Sequence, residues 1–133
     1  MTGTPASVSA WLGKAQGDLD VATVLSVQED PHWDVVVFHA QQAAEKFLKA
    51  LLVRNGQRPP KIHDLTRLLD ICMPYAPGLT AFVEDCVFLS PLAVVSRYPG
   101  EELASPRDDG ERSLGIARRI GVAVQAAIMQ TGH

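Results

Sequence analysis

Between about His32 and Val53 the chain carries more apolar surface at helical spacing than one neighbour can cover. Val36, Ala40, Ala43, Phe47, Ala50 and Leu51 recur at intervals of three and four, and Val37, Ala44 and Leu48 widen the stripe. Pro31 suits the first turn of the helix this spacing predicts. Asn55-Gly56 is a residue pair suited to a left-handed C-terminal cap, and Pro59-Pro60 bars any continuation. A helix so broadly apolar is stable only inside a set of other helices, and that requirement constrains the fold more than any other feature.

Four further segments supply the neighbours. The first follows Ser7 and Ser9, either of which suits a cap, and carries Val8, Leu12, Ala15, Leu19 and Ala22 before fading at Gln28-Glu29-Asp30. A third places Leu65, Leu68, Leu69 and Cys72 on one face and is closed by Pro74 to Gly78. A fourth repeats that pattern with Leu79, Phe82, Val83 and Cys86 and ends near Ser90-Pro91. Residues 90–107 then read as a long surface loop, with two prolines and a glycine between Ser96 and Pro106. The fifth follows Asp108-Asp109, good capping residues, and carries Leu114, Ala117, Ile120, Val124 and Ala127. With no strand-like alternation and no internal repeat, the expected fold is all-α: an antiparallel up-down bundle of four to five helices. At 133 residues there is room for one core, so a single domain spanning 1–133 is expected, with 1–7 flexible.

Composition narrows the setting. Apolar residues make up 47% and charged residues 20%, the balance of a globular protein. The longest aliphatic or aromatic run, Val35-Val36-Val37-Phe38, falls far short of the roughly 20 residues needed to cross a bilayer. Met1 to Ala10 lacks the basic flank and apolar stretch of a secretion signal, so a cytoplasmic location is expected. Cys72 and Cys86 fall on apolar positions of helical patterns and read as core packing. The four histidines do not form ligand spacing, and no phosphate-binding glycine loop or nucleophile elbow is present; neither a metal nor a cofactor is expected.

The net charge of −3 hides an uneven distribution. Between Glu45 and Arg67 lie six of the twelve basic residues against two acids, a local balance of +4. Two readings apply, a solvated face or an anion site. On the second helix His39, Gln42, Lys46 and Lys49 share one polar face, able either to hold a ligand or to form intrahelical pairs such as Glu45 with Lys49. His63-Asp64 opens the third helix directly after the basic loop of Arg58 and Lys61. Either Asp64 or His63 suits the cap, which alone explains Asp64, and the helix N-terminus among cations favours an anion. In the long loop, Arg97-Tyr98 offers a planar fork for phosphate and a ring for stacking a base; alternatively Tyr98 anchors the loop while Arg97 pairs with Glu101 or Glu102.

Three separated elements then coincide with one family. Phe38-His39-Ala40-Gln41-Gln42-Ala43-Ala44-Glu45-Lys46-Phe47-Leu48-Lys49-Ala50-Leu51-Leu52 resembles the signature second helix of HEPN domains (higher eukaryotes and prokaryotes nucleotide-binding). His63-Asp64-Leu65 with Leu68-Leu69 is similar to the start of their third helix, and Ser96-Arg97-Tyr98-Pro99 to the run before their last helix. Order and spacing agree over about Trp11 to Ala127. The resemblance implies a bundle of four or five helices, commonly a homodimer, often paired with a small nucleotidyltransferase in a toxin–antitoxin-like system. The first reading is a nucleotide- or RNA-interacting module in which Lys46, Lys49 and His63, with Asp64 beside them, contact phosphate, Arg97 clamps it and Tyr98 stacks or orients. Ribonuclease members carry an arginine followed after four to six residues by a histidine, in a metal-independent site; Arg58 and His63 satisfy that count, from a loop containing Pro59-Pro60. Three functional readings therefore stand: a binding module, a metal-independent ribonuclease using His63 and Arg58, and a protein-binding scaffold.

Overall fold

The computed structural model describes residues 7–90 and 105–130. Among them five α-helices occur and no strand: α1 (Val8–Ser26), α2 (Trp33–Arg54), α3 (Leu65–Cys72), α4 (Val83–Leu89) and α5 (Pro106–Gln130). The all-α bundle expected from periodicity is what forms.

Local chemistry sets the helix ends. Of the two candidate serines, Ser7 caps α1, its hydroxyl accepting from the Ala10 amide at 3.1 Å. At the end of α2, Gly56 adopts φ +76°, the left-handed conformation that costs glycine nothing. The Gly56 amide then donates to the Val53 carbonyl and the Gln57 amide to that of Leu52, which satisfies two carbonyls the helix leaves open. Two boundaries differ from expectation. The Leu79–Phe82 stretch is 3₁₀ (Pro77–Phe82), becoming α-helical only from Val83, and Met73–Tyr75 forms another 3₁₀ turn. Here Pro74 and Pro77 supply the φ of a first turn but no amide, so only tight, short turns form. The last helix begins at Pro106 rather than after Asp109, so its first turn takes over the end of the expected 90–107 loop. Ser105 caps it through the Asp108 amide at 3.2 Å, and Asp108 and Asp109 lie in the first turn, where their charge favours the positive helix end.

Side-chain contacts fix the helix directions. Asp18 of α1 reaches both His39 and Lys46 of α2, and Trp11 stands beside Lys49, so α1 and α2 run antiparallel. Phe88 stacks under Arg112 and Asp85 meets Arg119, so α4 and α5 are antiparallel as well. α2 and α5 run in the same direction, because Gly110 faces Trp33 and Gly121 faces Phe47. α3 closes one side, its Cys72 thiol donating to the Leu48 carbonyl at 3.3 Å.

One contiguous core results, centred on α2: Val36, Ala40, Ala43, Ala44, Phe47, Leu48, Leu51 and Leu52 are all buried. Both cysteines lie in it. Burial, with the neighbouring Cys86 adding, pushes the Cys72 thiol up to about 12; burial and then Asp85 do the same to Cys86. Both therefore stay protonated thiols at neutral pH and serve as packing groups.

At Gly110 and Gly121, α5 leaves no room for a side chain against α2. A Cβ built on Gly121 would lie 2.8 Å from the Phe47 ring, which is itself fully buried. Gly121→Ala should therefore cost about 1–3 kcal/mol through overpacking, read as a drop in Tm of several degrees. Ala at Gly115, which has no neighbour within 4 Å, is the control and should leave Tm unchanged or raise it.

Candidate functional site

Polar side chains of α2 are organised as two sets, each built on one carboxylate held between a histidine and a lysine. In the first, Asp18 of α1 receives Lys46 on one oxygen, and its other oxygen stands 2.9 Å from His39 Nδ1. Asp18, His39 and Lys46 are all half-buried, so this set also ties the α1–α2 hairpin across its polar edge.

The second set links α2 to the return loop. Glu45 Oε2 receives Lys49 Nζ at 3.0 Å, and Glu45 Oε1 stands 2.9 Å from His63 Nδ1. Glu45 and Lys49 are buried, at 6% and 7% side-chain exposure, whereas His63 is 73% exposed. The Lys49 ammonium also lies 5.9 Å from the centroid of the Trp11 ring, where the π face offers a further favourable contact. The intrahelical alternative for Glu45 and Lys49 is thus what forms, and Lys49 lies behind the surface. Its charge fixes Glu45, and Glu45 fixes His63 by one nitrogen, leaving imidazole Nε2 directed away from that bond.

Asp64 caps α3. Its Oδ1 accepts from the Thr66 amide at 3.0 Å and from the Thr66 hydroxyl at 2.6 Å. These bonds, that from the Thr66 side chain foremost, hold its carboxyl below the ordinary value of 3.8. The helix N-terminus therefore already has an anion of its own, and the charge available to a ligand comes from the exposed residues around it: Arg58, Lys61, His63 and Arg67. Of the expected site residues, Lys46, Lys49, His63 and Asp64 lie along α2 and the start of α3, while Arg58 stands exposed in the same return loop as His63. Arg97 and Tyr98 lie outside the described residues. Among the described residues, no group of three or more His, Cys, Asp or Glu could hold a metal ion, and no helix is long and apolar enough to cross a membrane.

Sequence reasoning did not reach Asp18 and Trp11. Both stand on α1, seven residues apart and therefore on one face, beside the apolar stripe of Ala15, Leu19 and Ala22. That spacing was the available signal, but their partners belong to another helix and only packing names them.

Comparison with known proteins agrees with this architecture. A family model described as HEPN domain matches residues 8–126. The crystal structure of an archaeal HEPN homologue superposes with a TM-score of 0.71 at 25% identity, over 93% of this chain and 99% of that one. No curated protein sequence matches the chain. The chain belongs to the HEPN domain family, whose model runs from the start of α1 into α5.

Two substitutions probe the second set and the adjoining cap. Glu45→Gln leaves the Lys49 ammonium buried without its counter-charge, and breaking a buried pair from one side costs about 3–5 kcal/mol; a loss near that size is expected in denaturant unfolding. Asp64→Ala removes the cap and should cost about 1 kcal/mol at neutral pH. Because the folded-state carboxyl titrates below 3.8, its contribution is complete above that value and disappears as the pH falls through the lower folded-state value. The stability gap between wild type and Asp64→Ala should therefore be constant near neutrality and close only in strong acid.

Proposed function

We propose that this chain is a non-catalytic HEPN module that binds the phosphate of a nucleotide or RNA at the surface formed by the return loop and the polar edge of α2. The observation that carries this reading is His63, anchored through Nδ1 on a buried Glu45–Lys49 pair yet largely exposed, in a loop with Arg58 and Lys61. An imidazole held this way presents its second nitrogen in a fixed direction, and ordering it on binding costs less than ordering a free surface side chain.

In this proposal Lys46, paired with Asp18, turns its remaining N–H donors to phosphate, and Arg97 and Tyr98 complete the clamp. Lys49 and Asp64 act from behind, by positioning His63 and the first turn of α3. We assign the chain to the HEPN branch bearing the His-Asp-Leu and Arg-Tyr-Pro elements, working as a homodimer with a nucleotidyltransferase partner in a toxin–antitoxin-like pair. A cytoplasmic setting fits that assignment.

A second reading, a metal-independent ribonuclease, is favoured by the same carboxylate-held imidazole, which is suited to proton transfer, with Arg58 placed to stabilise charge developing at phosphorus. One experiment separates the two. Purified protein is titrated with nucleotides and incubated with RNA, alongside His63→Ala and Arg58→Ala. Binding that His63→Ala weakens about tenfold, without cleavage, is the expected result. Cleavage abolished by both substitutions would establish the enzyme, and absence of any binding at millimolar nucleotide would leave a protein-binding scaffold.

A further inference from the structure

Half of the large apolar side chains left exposed among the described residues crowd into one stretch. Val21, Val24, Val27, Val35 and Phe38 lie within it, while the other five are divided among α3, α4 and α5. Packing of α1 on α2 joins the first five into one strip. Asp18 of α1 meets His39 of α2, so Val21, one turn further along α1, and Val35, one turn back along α2, flank the same interhelical groove. Val24 and then Val27 continue the strip toward the end of α1, and Phe38 widens it on α2.

Phe38 is 52% exposed, Val24 57% and Val27 76%. The Phe38 ring meets the His39 ring edge to face, with centroids 5.2 Å apart, and His39 is held on Asp18, so an open phenyl group is fixed in orientation. Apolar surface gathered in this way marks an interaction site, whereas single scattered side chains need no explanation.

Charge decides the occupant. From residue 15 to residue 45 the chain holds six acids and neither lysine nor arginine. Lys46 takes Asp18 and Lys49 takes Glu45, which leaves Asp20, Glu29, Asp30 and Asp34, all exposed, around the strip. Arg118 of α5 reaches α1 at Thr23, on the side of that helix turned toward α5. An isologous contact between two copies would set these acids against themselves, and the anionic surface of a membrane would be repelled as well. Basic side chains flanking an apolar row complement both features, and an open groove between two helices suits a third, which anchors through residues at i, i+3, i+4 and i+7.

We propose that the α1–α2 edge from Val21 to Phe38 docks a cationic amphipathic helix of a partner protein. The surface is separate from the return loop at the other end of α2, so the inference goes beyond the phosphate reading and does not depend on it. The aliphatic row of the partner lies along Val21, Val24, Val35 and Phe38, and its lysines or arginines meet Asp20, Glu29, Asp30 and Asp34. From Val21 to Val27 the strip runs roughly 9 Å along α1, room for about two turns of the partner.

The probe is a fluorescein-labelled peptide of about 14 residues, with leucines on one helical face and lysines on the other, followed by fluorescence anisotropy against the full chain. Its controls are the same peptide with glutamate for lysine and a scrambled peptide of identical composition. The lysine peptide should bind at least about tenfold tighter than either control, and its affinity should fall as salt rises. Val24→Gln with Phe38→Gln removes two apolar anchors and should weaken binding about tenfold or more, and Glu29→Lys with Asp30→Lys should do the same through charge. All four positions are exposed, so Tm and phosphate affinity should stay at their wild-type values. Wild-type peptide affinity in either double variant overturns the docking surface, as does equal binding of the glutamate peptide. Self-association, or binding to anionic lipid vesicles, that Val24→Gln with Phe38→Gln abolishes without affecting the peptide gives the surface to a second copy or to a membrane and overturns the partner helix. Phosphate that fails to bind in the same samples removes the phosphate reading alone.

Discussion

The burial of α2 on nearly every side is the constraint on which the rest of the molecule depends. From Val36 to Leu52 most of its residues are covered, by α1, α3 and α5 in turn. Buried apolar side chains of this kind contribute roughly 1.5–3 kcal/mol each, and short helices such as α3 and α4 persist only by packing into this core. Gly110 and Gly121 let α5 approach closely enough to cover Trp33 and Phe47. Every other helix is placed by its contact with this one, directly or through a neighbour.

The same burial governs the polar residues. A helix surrounded on so many sides has little open surface on which to place Glu45, Lys46, Lys49 and His39, so these groups are paired rather than solvated. Asp18 neutralises Lys46 and orients His39; Lys49 neutralises Glu45 and thereby orients His63. Each pair gives up hydration and recovers it through close, hydrogen-bonded contact. An imidazole at the surface is left with one nitrogen committed inward, the arrangement from which phosphate recognition is proposed. Gln41 Nε2 and Trp11 Nε1 are the buried side-chain donors that the described residues leave unsatisfied.

Much of the architecture was legible in the residues. The apolar stripes, Ser7, Asn55-Gly56 and the proline pairs act over one or two turns, and local chemistry of that range can be read along a chain. Expectation and structure part where competing local signals meet. Asp108-Asp109 and Ser105 are all good caps, and Ser105 prevails because Pro106 fits the first turn after it. Leu79, Phe82, Val83 and Cys86 have a helical period, but Pro77 tightens the beginning of that segment into a 3₁₀ turn.

The sequence by itself determined the helices, the cap at Asp64 and the cationic excess between Glu45 and Arg67, because period, cap and charge are properties of neighbours along the chain. Tertiary structure alone decided that Lys49 is buried, that Asp18 is the partner of His39 and Lys46, and that His63 rests on Glu45. Those pairings join residues 18 to 28 positions apart, and which groups meet at such separations follows from how helices pack, not from what stands beside them in sequence.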